Sequence, residues 1–307
     1  MTSRRLLPAG EPRRILGAGA ALALALAFVS SGPSSADQLP IDLGELTDFG
    51  VQVGGAYAYD NSGHAVTGAG DVNGDGYPDM LIGAPSNYDR DRRFPLWGSS
   101  FVVFGRQTPA SIDLATLGMA GFRIDGALNG DFSGTSVAAA GDVNGDGYAD
   151  VLIGAPNVDP SFKNNAGTSY VVYGSQTPTD IKLAYLGSAG FHINGAKPGD
   201  RSGHSVAAAG DVNGDGYVDL LIGAPYAAPS GKSSAGSSFV INGSETPTNV
   251  DLGDLGSAGF RINGANTLDI SGYSVAGVGD VNGDGYADLL QSAGQGLCRS
   301  EFRGVRR

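Results

Sequence analysis

The sequence predicts an all-β fold, a β-propeller with three full four-stranded blades and a partial fourth, and three observations carry that prediction. A nine-residue stretch, Asp71-Val72-Asn73-Gly74-Asp75-Gly76-Tyr77-Pro78-Asp79, returns almost unchanged from Asp142, Asp211 and Asp280. Around it a unit of about seventy residues repeats in step. Each unit holds four short apolar runs of strand length separated by Gly, Asn, Asp and Pro turns, and no helical period follows the leader. A single sheet of this size is too thin to fold alone, so tandem copies must bury their faces on one another, as propeller blades do. A calcium-binding β-solenoid is the runner-up, but its repeats are far shorter.

At the start of the chain, Arg4, Arg5, Arg13 and Arg14 precede an apolar run from Ile15 to Val29, and Ser34-Ser35-Ala36 supplies small residues for cleavage. Residues 1–36 therefore read as a secretory signal peptide, with a mature start at Asp37. The run is short for a membrane span, so none is expected after cleavage. Arg13-Arg14 fits the twin-arginine route poorly and leaves the export route open. The expected location is secreted, extracellular or at the cell envelope. The lone Cys298 leaves stability to packing and bound ions. Of 31 acidic residues all but Glu11 and Glu301 lie between Asp37 and Leu290, which hold only 11 of the 19 basic ones. That charge disfavours nucleic acid and anionic membranes and favours cations.

The propeller is expected over 37–290, in repeats of about 41–110, 111–179, 180–248 and 249–290. Each opens on a segment such as Ile112-Asp113-Leu114 or Ile181-Lys182-Leu183. Gly-Phe-x-Ile-x-Gly-Ala follows, at Gly121 to Ala127, Gly190 to Ala196 and Gly259 to Ala265, with Gly50 to Ala56 as a looser version. A Ser-Gly-x-x-Val segment leads into the acidic stretch, then Asp150-Val151-Leu152-Ile153-Gly154-Ala155-Pro156, and finally a strand such as Ser169 to Gly174. The 51 glycines fall at fixed places in the unit, which points to turns and not to disorder.

The acidic stretch places side-chain oxygens at positions 1, 3, 5 and 9 with Gly at 6. Ca²⁺ takes six to eight oxygens, and an EF-hand loop opens in the same way. In the first copy the donors would be Asp71, Asn73, Asp75 and Asp79 with the carbonyl of Tyr77, and three carboxylates in nine residues repel one another unless a cation lies between them. Asn-Gly and Asp-Gly are also good hairpin turns, but a turn does not require Asp at positions 1, 5 and 9 in every copy. An EF-hand would carry an acid at position 12 and enter a helix; here that position is Ile82, Ile153, Ile222 and Gln291, within apolar runs of strand length.

Ser-Gly-x-Ser-Val, Asp-x-Asn-x-Asp-Gly-x-x-Asp and Leu-Ile-Gly-Ala-Pro, in that order, resemble the FG-GAP repeat of the integrin α-chain β-propeller and its bacterial relatives, over essentially residues 41–290. The resemblance implies Ca²⁺ ions in the hairpin between the first two strands of certain blades, stiffening the face opposite a ligand-binding surface. By position the ligands would be Asp71, Asn73, Asp75, Tyr77 and Asp79; Asp142, Asn144, Asp146, Tyr148 and Asp150; Asp211, Asn213, Asp215, Tyr217 and Asp219; and Asp280, Asn282, Asp284, Tyr286 and Asp288. Two departures stand out. The family's ring has seven blades, and the fourth unit breaks into Leu290-Gln291-Ser292-Ala293-Gly294 before a tail, 291–307, carrying Cys298, Arg299, Arg303, Arg306 and Arg307. A frameshifted or truncated longer protein is expected, with the last blade lacking its third strand and leaving an open edge.

No enzyme is expected. His64 and His204 share one repeat position and His192 sits where Arg123 and Arg261 sit, so they belong to the repeat more than to a general base. No Gly-x-Ser-x-Gly nucleophile stands in a strand-to-helix setting. The expected function is a calcium-binding scaffold for extracellular adhesion or for binding a protein or glycan. The alternative is the non-catalytic propeller part of a secreted hydrolase, such as a phospholipase D-type enzyme. The segment Asn87 to Gly98, with Arg90, Arg92, Arg93, Phe94 and Trp97, is the most individual loop.

Overall fold

The computed structural model describes residues 24–27, 50–57, 59–85, 97–108, 110–293 and 301–303. Strand β1 spans Leu24–Ala27 and β2 Gly50–Gly54. There follow β3 (Ala65–Gly70), β4 (Asp79–Ala84), β5 (Ser99–Val103), the two-residue β6 (Ile112–Asp113) and β7 (Gly121–Asp125). The series returns as β8 (Ser136–Gly141), β9 (Asp150–Ala155), β10 (Thr168–Val172), β11 (Ile181–Lys182) and β12 (Gly190–Asn194). It returns again as β13 (Ser205–Gly210), β14 (Asp219–Ala224), β15 (Ser237–Ile241), β16 (Val250–Asp251) and β17 (Gly259–Asn263). Last come β18 (Ser271–Gly279), β19 (Asp288–Ala293) and β20 (Glu301–Arg303).

Three antiparallel four-stranded meanders result, β3-β4-β5-β7, β8-β9-β10-β12 and β13-β14-β15-β17, as blades require. The Ile-Asp-Leu segments add a parallel pair at an outer edge: Ile181 of β11 is registered with Ile124 of β7, and Val250 of β16 with Ile193 of β12. The sheets are therefore one strand out of phase with the units drawn from the sequence. The Gly-Phe-x-Ile strand of one unit completes the sheet begun in the unit before it, because its alternating apolar residues match the third strand of that sheet. Phe122 pairs with Val102 and Ile124 with Ser100.

The core lies between sheets. Val102, Leu81, Phe122 and Ile124 of the first meander pack with Val151, Ile153, Tyr170 and Val172 of the second, and the second meets the third in the same way through Leu152, Phe191, Leu220 and Phe239. Among the described residues no buried cluster joins the first sheet to the last.

The ends of the chain add two strands that the sequence did not announce. Leu24–Ala27, inside the expected signal peptide, forms a strand on β2 with Leu26 opposite Val51, in the place that β5 takes beside β7. An extended apolar segment has filled the open edge of β2. At the other end the last sheet has its third strand after all. Glu301–Arg303 pairs with Leu289–Gln291 in the register that Phe239–Ile241 holds on Leu220–Ile222, so the tail supplies the strand expected to be missing and becomes the outer strand of a three-stranded sheet among the described residues. Gln291, the residue that breaks the motif, accepts a 2.6 Å hydrogen bond from the hydroxyl of the buried Ser238 on the neighbouring sheet. The equivalent Ser100 and Ser169 bury their hydroxyl groups without a partner.

Candidate metal centre

Each acidic stretch joins the first two strands of a sheet. One residue before it the ladder slips by one position, at Gly70, Gly141, Gly210 and Gly279, all with φ between +70° and +79°. Glycine is required there twice over in the second sheet: φ is left-handed, and a Cβ on Gly141 would come within 2.9 Å of Val218 in the next loop.

The first three donor positions of every copy converge. In the first loop the N–H of Asp75 donates to Asp71 Oδ1 and to Asn73 Oδ1, both at 3.0 Å, and the N–H of Gly76 donates to Asp71 Oδ2 at 2.8 Å. Asp75 Oδ1 accepts from the N–H of Tyr77. The arrangement recurs on Asp142, Asn144 and Asp146, on Asp211, Asn213 and Asp215, and on Asp280, Asn282 and Asp284. Two side-chain oxygens on one N–H necessarily lie close together, and Asn73 and Asp75 are joined directly by a 2.9 Å bond. These hard oxygen donors, held at an exposed loop, suit Ca²⁺.

Position 9 sits elsewhere. Asp79, Asp150 and Asp219 are at most 1 % exposed, each with one oxygen on the N–H that opens its loop and the other on an N–H beyond the third strand. For Asp150 these are Val143 and Gly174, both at 2.9 Å. The position-9 carboxyl bolts the loop to its sheet, and among the described residues the three carboxylates of a loop form no single cluster. Burial pushes Asp79 and Asp219 up to about 6 and Asp150 to about 7, against the pull of those amide bonds and with added repulsion from the acids at positions 1 and 5. Positions 1, 3 and 5 thus fit a hard cation as they stand, while position 9 can contribute only through the lone pairs its amide bonds leave free.

Position 7 has a second role that spacing alone does not disclose. A Cβ on Gly74 would lie 2.6 Å from the ring of Tyr148, so the Tyr of one loop rests on the Gly at position 4 of the loop before it, as Tyr286 does on Gly214. Among the described residues no later loop covers the fourth: Val281 is 61 % exposed where Val72 is 1 %, and Asn282 Nδ2 turns to Asp288.

A further recurrent acid escaped the reading of the sequence. Asp60, Asp131, Asp200 and Asp269, each two residues before a Ser-Gly pair, fold the connection between an outer strand and the next first strand. Each accepts the N–H three residues earlier: Tyr57, Leu128, Lys197 and Asn266. The Asp-x-Ser-Gly spacing would have revealed them. The expected loop Asn87 to Gly98 lies outside the described residues except for Trp97 and Gly98. His192 is half-buried, and burial lowers its pKa. The His204 ring packs 4.6 Å from Tyr273.

Stacked antiparallel blades with an acidic loop at one end of each define a propeller-type repeat protein. The FG-GAP repeat matches residues 62–93, 133–172, 202–241 and 271–300. The chain is 32% identical to integrin alpha pat-2 of Caenorhabditis elegans over 261 residues, 80% of this chain and 19% of that protein. It is 30% identical to integrin alpha-V of Gallus gallus over 242 residues, 77% and 20% of the two. It is 31% identical to phosphatidylinositol-glycan-specific phospholipase D of Mus musculus over 224 residues, 72% and 25%. This is an FG-GAP repeat protein, related to integrin α chains and to that phospholipase, and it spans about a fifth to a quarter of those relatives' length. Among the described residues no helix is long and apolar enough to cross a membrane.

Proposed function

We propose that the chain is an exported, calcium-stabilised propeller scaffold for extracellular adhesion or ligand binding, directed at a protein or a glycan. The observation that carries this reading is the convergence of Asp71, Asn73 and Asp75 on one amide at an exposed loop end, repeated in all four acidic loops. The ion supplies positive charge that relieves the crowded carboxylates. The chain's own residues do the rest: the position-9 acids fix each loop to its sheet, and the tyrosines stack loop on loop. A rigid lower end then frees the opposite connections to vary without loss of the fold. The integrin relatives favour adhesion; their matched region is this one.

A second reading, the non-catalytic propeller part of a secreted hydrolase, draws on the 31% identity to the mouse phospholipase D. On either reading the described chain performs no catalysis itself. The test is to probe immobilised extracellular proteins and glycans with the purified chain, in Ca²⁺ and in chelator. Saturable binding that chelation abolishes supports the scaffold, and its absence on every surface counts against it.

A further inference from the structure

At the end of the sheets opposite the acidic loops, a cavity of about 540 Å³ opens where the second and third meanders adjoin. Its wall includes Asn165, Lys197, Asp200, Arg201, Tyr226 and Ser234. The Arg201 guanidinium lies over the Tyr226 ring, 5.2 Å from its centre, and His204 flanks that ring edge-on at 6.4 Å. The stacking holds the guanidinium in place without using its donors. Among the described residues no hydrogen bond or salt bridge engages the side-chain nitrogens of Lys197 or Arg201. Asp200 forms no ion pair with either: its buried carboxylate accepts the backbone N–H of Lys197 at 3.1 Å, although the Lys197 charge acts on it from a distance. Arg261 adds positive charge nearby, whereas Lys163 is paired with Asp251 at 2.9 Å. Open cations are unexpected on a chain of net charge −12.

The site is also individual. Lys197 stands where the neighbouring units carry Leu128 and Asn266, Arg201 where they carry Phe132 and Ile270, and Tyr226 where the second carries Asn157. A repeat that needed these groups for packing would keep them in each copy.

We infer that this cavity binds an anionic sugar unit, with Arg201 and Lys197 on its acid group and Tyr226, Asn165 and Ser234 against its ring and hydroxyl groups. The planar fork of Arg201 suits a carboxylate or sulfate, and a cavity of this size takes a small ligand. Hydroxyl and amide groups in the wall favour a sugar. A peptide added as a strand would need a free sheet edge, and the cavity is walled by connections between strands. The inference rests on the scaffold reading above and names its ligand class.

The test is calorimetric titration of the calcium-loaded chain with oligogalacturonate, a sulfated heparin-type oligosaccharide, a neutral galactoside oligomer, polyglutamate and inorganic phosphate. The K197L/R201F variant installs the residues of the second unit, and Phe132 holds φ at +54° where Arg201 holds +52°, so the backbone accepts it. Lys197→Ala is the milder companion if the double variant melts early. The expected result is saturable binding of the carboxylated or the sulfated sugar, which arm responds naming the acid, and none of the neutral one. Binding should weaken at least about tenfold in K197L/R201F and in high salt, and several-fold in Lys197→Ala. No uptake of either anionic sugar, equal affinity in a folded variant, or equal binding of polyglutamate or phosphate overturns it. If immobilised surfaces reveal a calcium-dependent ligand while anionic sugars do not bind, this inference falls and the scaffold reading stands; if nothing binds anywhere, both fall.

Discussion

The backbone N–H of Ala149 donates a 3.0 Å hydrogen bond to the carbonyl of Asp71, tying one acidic loop to the loop of the preceding sheet. Ala287 makes the same 3.1 Å bond to Asp211. Ordering one loop is therefore felt in its neighbour, and metal binding should stabilise the array beyond the loop that holds the ion. A ligand at a hundred times its Kd adds about 2.7 kcal/mol per site when it binds only the folded state. We expect the melting temperature to rise with Ca²⁺, to fall in chelator, and to lose this response when Asp75, Asp146, Asp215 and Asp284 are all replaced by Ala. Calorimetry showing no ion uptake would remove the metal from the account.

The pH dependence has a definite sign. Asp79 and Asp219 at about 6 and Asp150 at about 7 are raised above the unfolded carboxyl value, so the folded chain binds extra protons between roughly pH 4 and 7. Without metal, stability is greatest below about pH 4 on their account and declines as pH climbs through 6 to 7. A cation beside the loop favours the ionised acids. The Ca²⁺-induced rise in melting temperature should thus grow from about pH 5 to 7.5, and a constant increment would contradict it.

Glycine substitutions separate strain from crowding. Gly147 has φ +92° and open space around an added Cβ, so Gly147→Ala should cost about 1–2 kcal/mol. Gly141 combines φ +75° with the approach to Val218, and Gly141→Ala should cost roughly 1–3 kcal/mol more. Denaturant melts of the two variants give the comparison directly, and equal losses would argue against the contact.

Asp131 is 4 % exposed, and burial, with Asp159 adding repulsion, pushes it to about 6. Asp131→Ala leaves the Leu128 N–H without its acceptor and should destabilise by roughly 1–3 kcal/mol. Asp131→Asn keeps an acceptor and should cost less, while flattening the decline of stability between about pH 4 and 6. A melt insensitive to both changes would show that the turn holds without its acid.

Gln291→Ile restores the residue of the other units but strands the Ser238 hydroxyl, at a cost of about 1–3 kcal/mol. Adding Ser238→Ala should recover most of that loss, since removing both partners of a buried bond can be nearly neutral. Additive losses in the cycle would mean the two residues do not interact.

Much of this was legible because the repeat displays each decision four times. That the side-chain oxygens of Asp71, Asn73 and Asp75 converge could be read from spacing alone, and Met80 to Ala84 as a strand from its apolar run before a Pro. What spacing could not convey was direction. Asp79 shares the motif with the loop donors, yet its oxygens turn inward to Val72 and Gly105, because two backbone amides there had no other acceptor. Nor could a motif foretell that Glu301–Arg303, unlike any third strand in composition, would take that strand's register. Ladder bonds come from the backbone, and any extended segment with free N–H and C=O groups can supply them.

The one-strand offset between sequence unit and sheet also bears on how such chains lengthen. Since each outer strand belongs to the following unit, a tandem duplication of one full period gives intact meanders wherever its breakpoints fall. Growth by copying needs only the correct length, and no privileged cutting site.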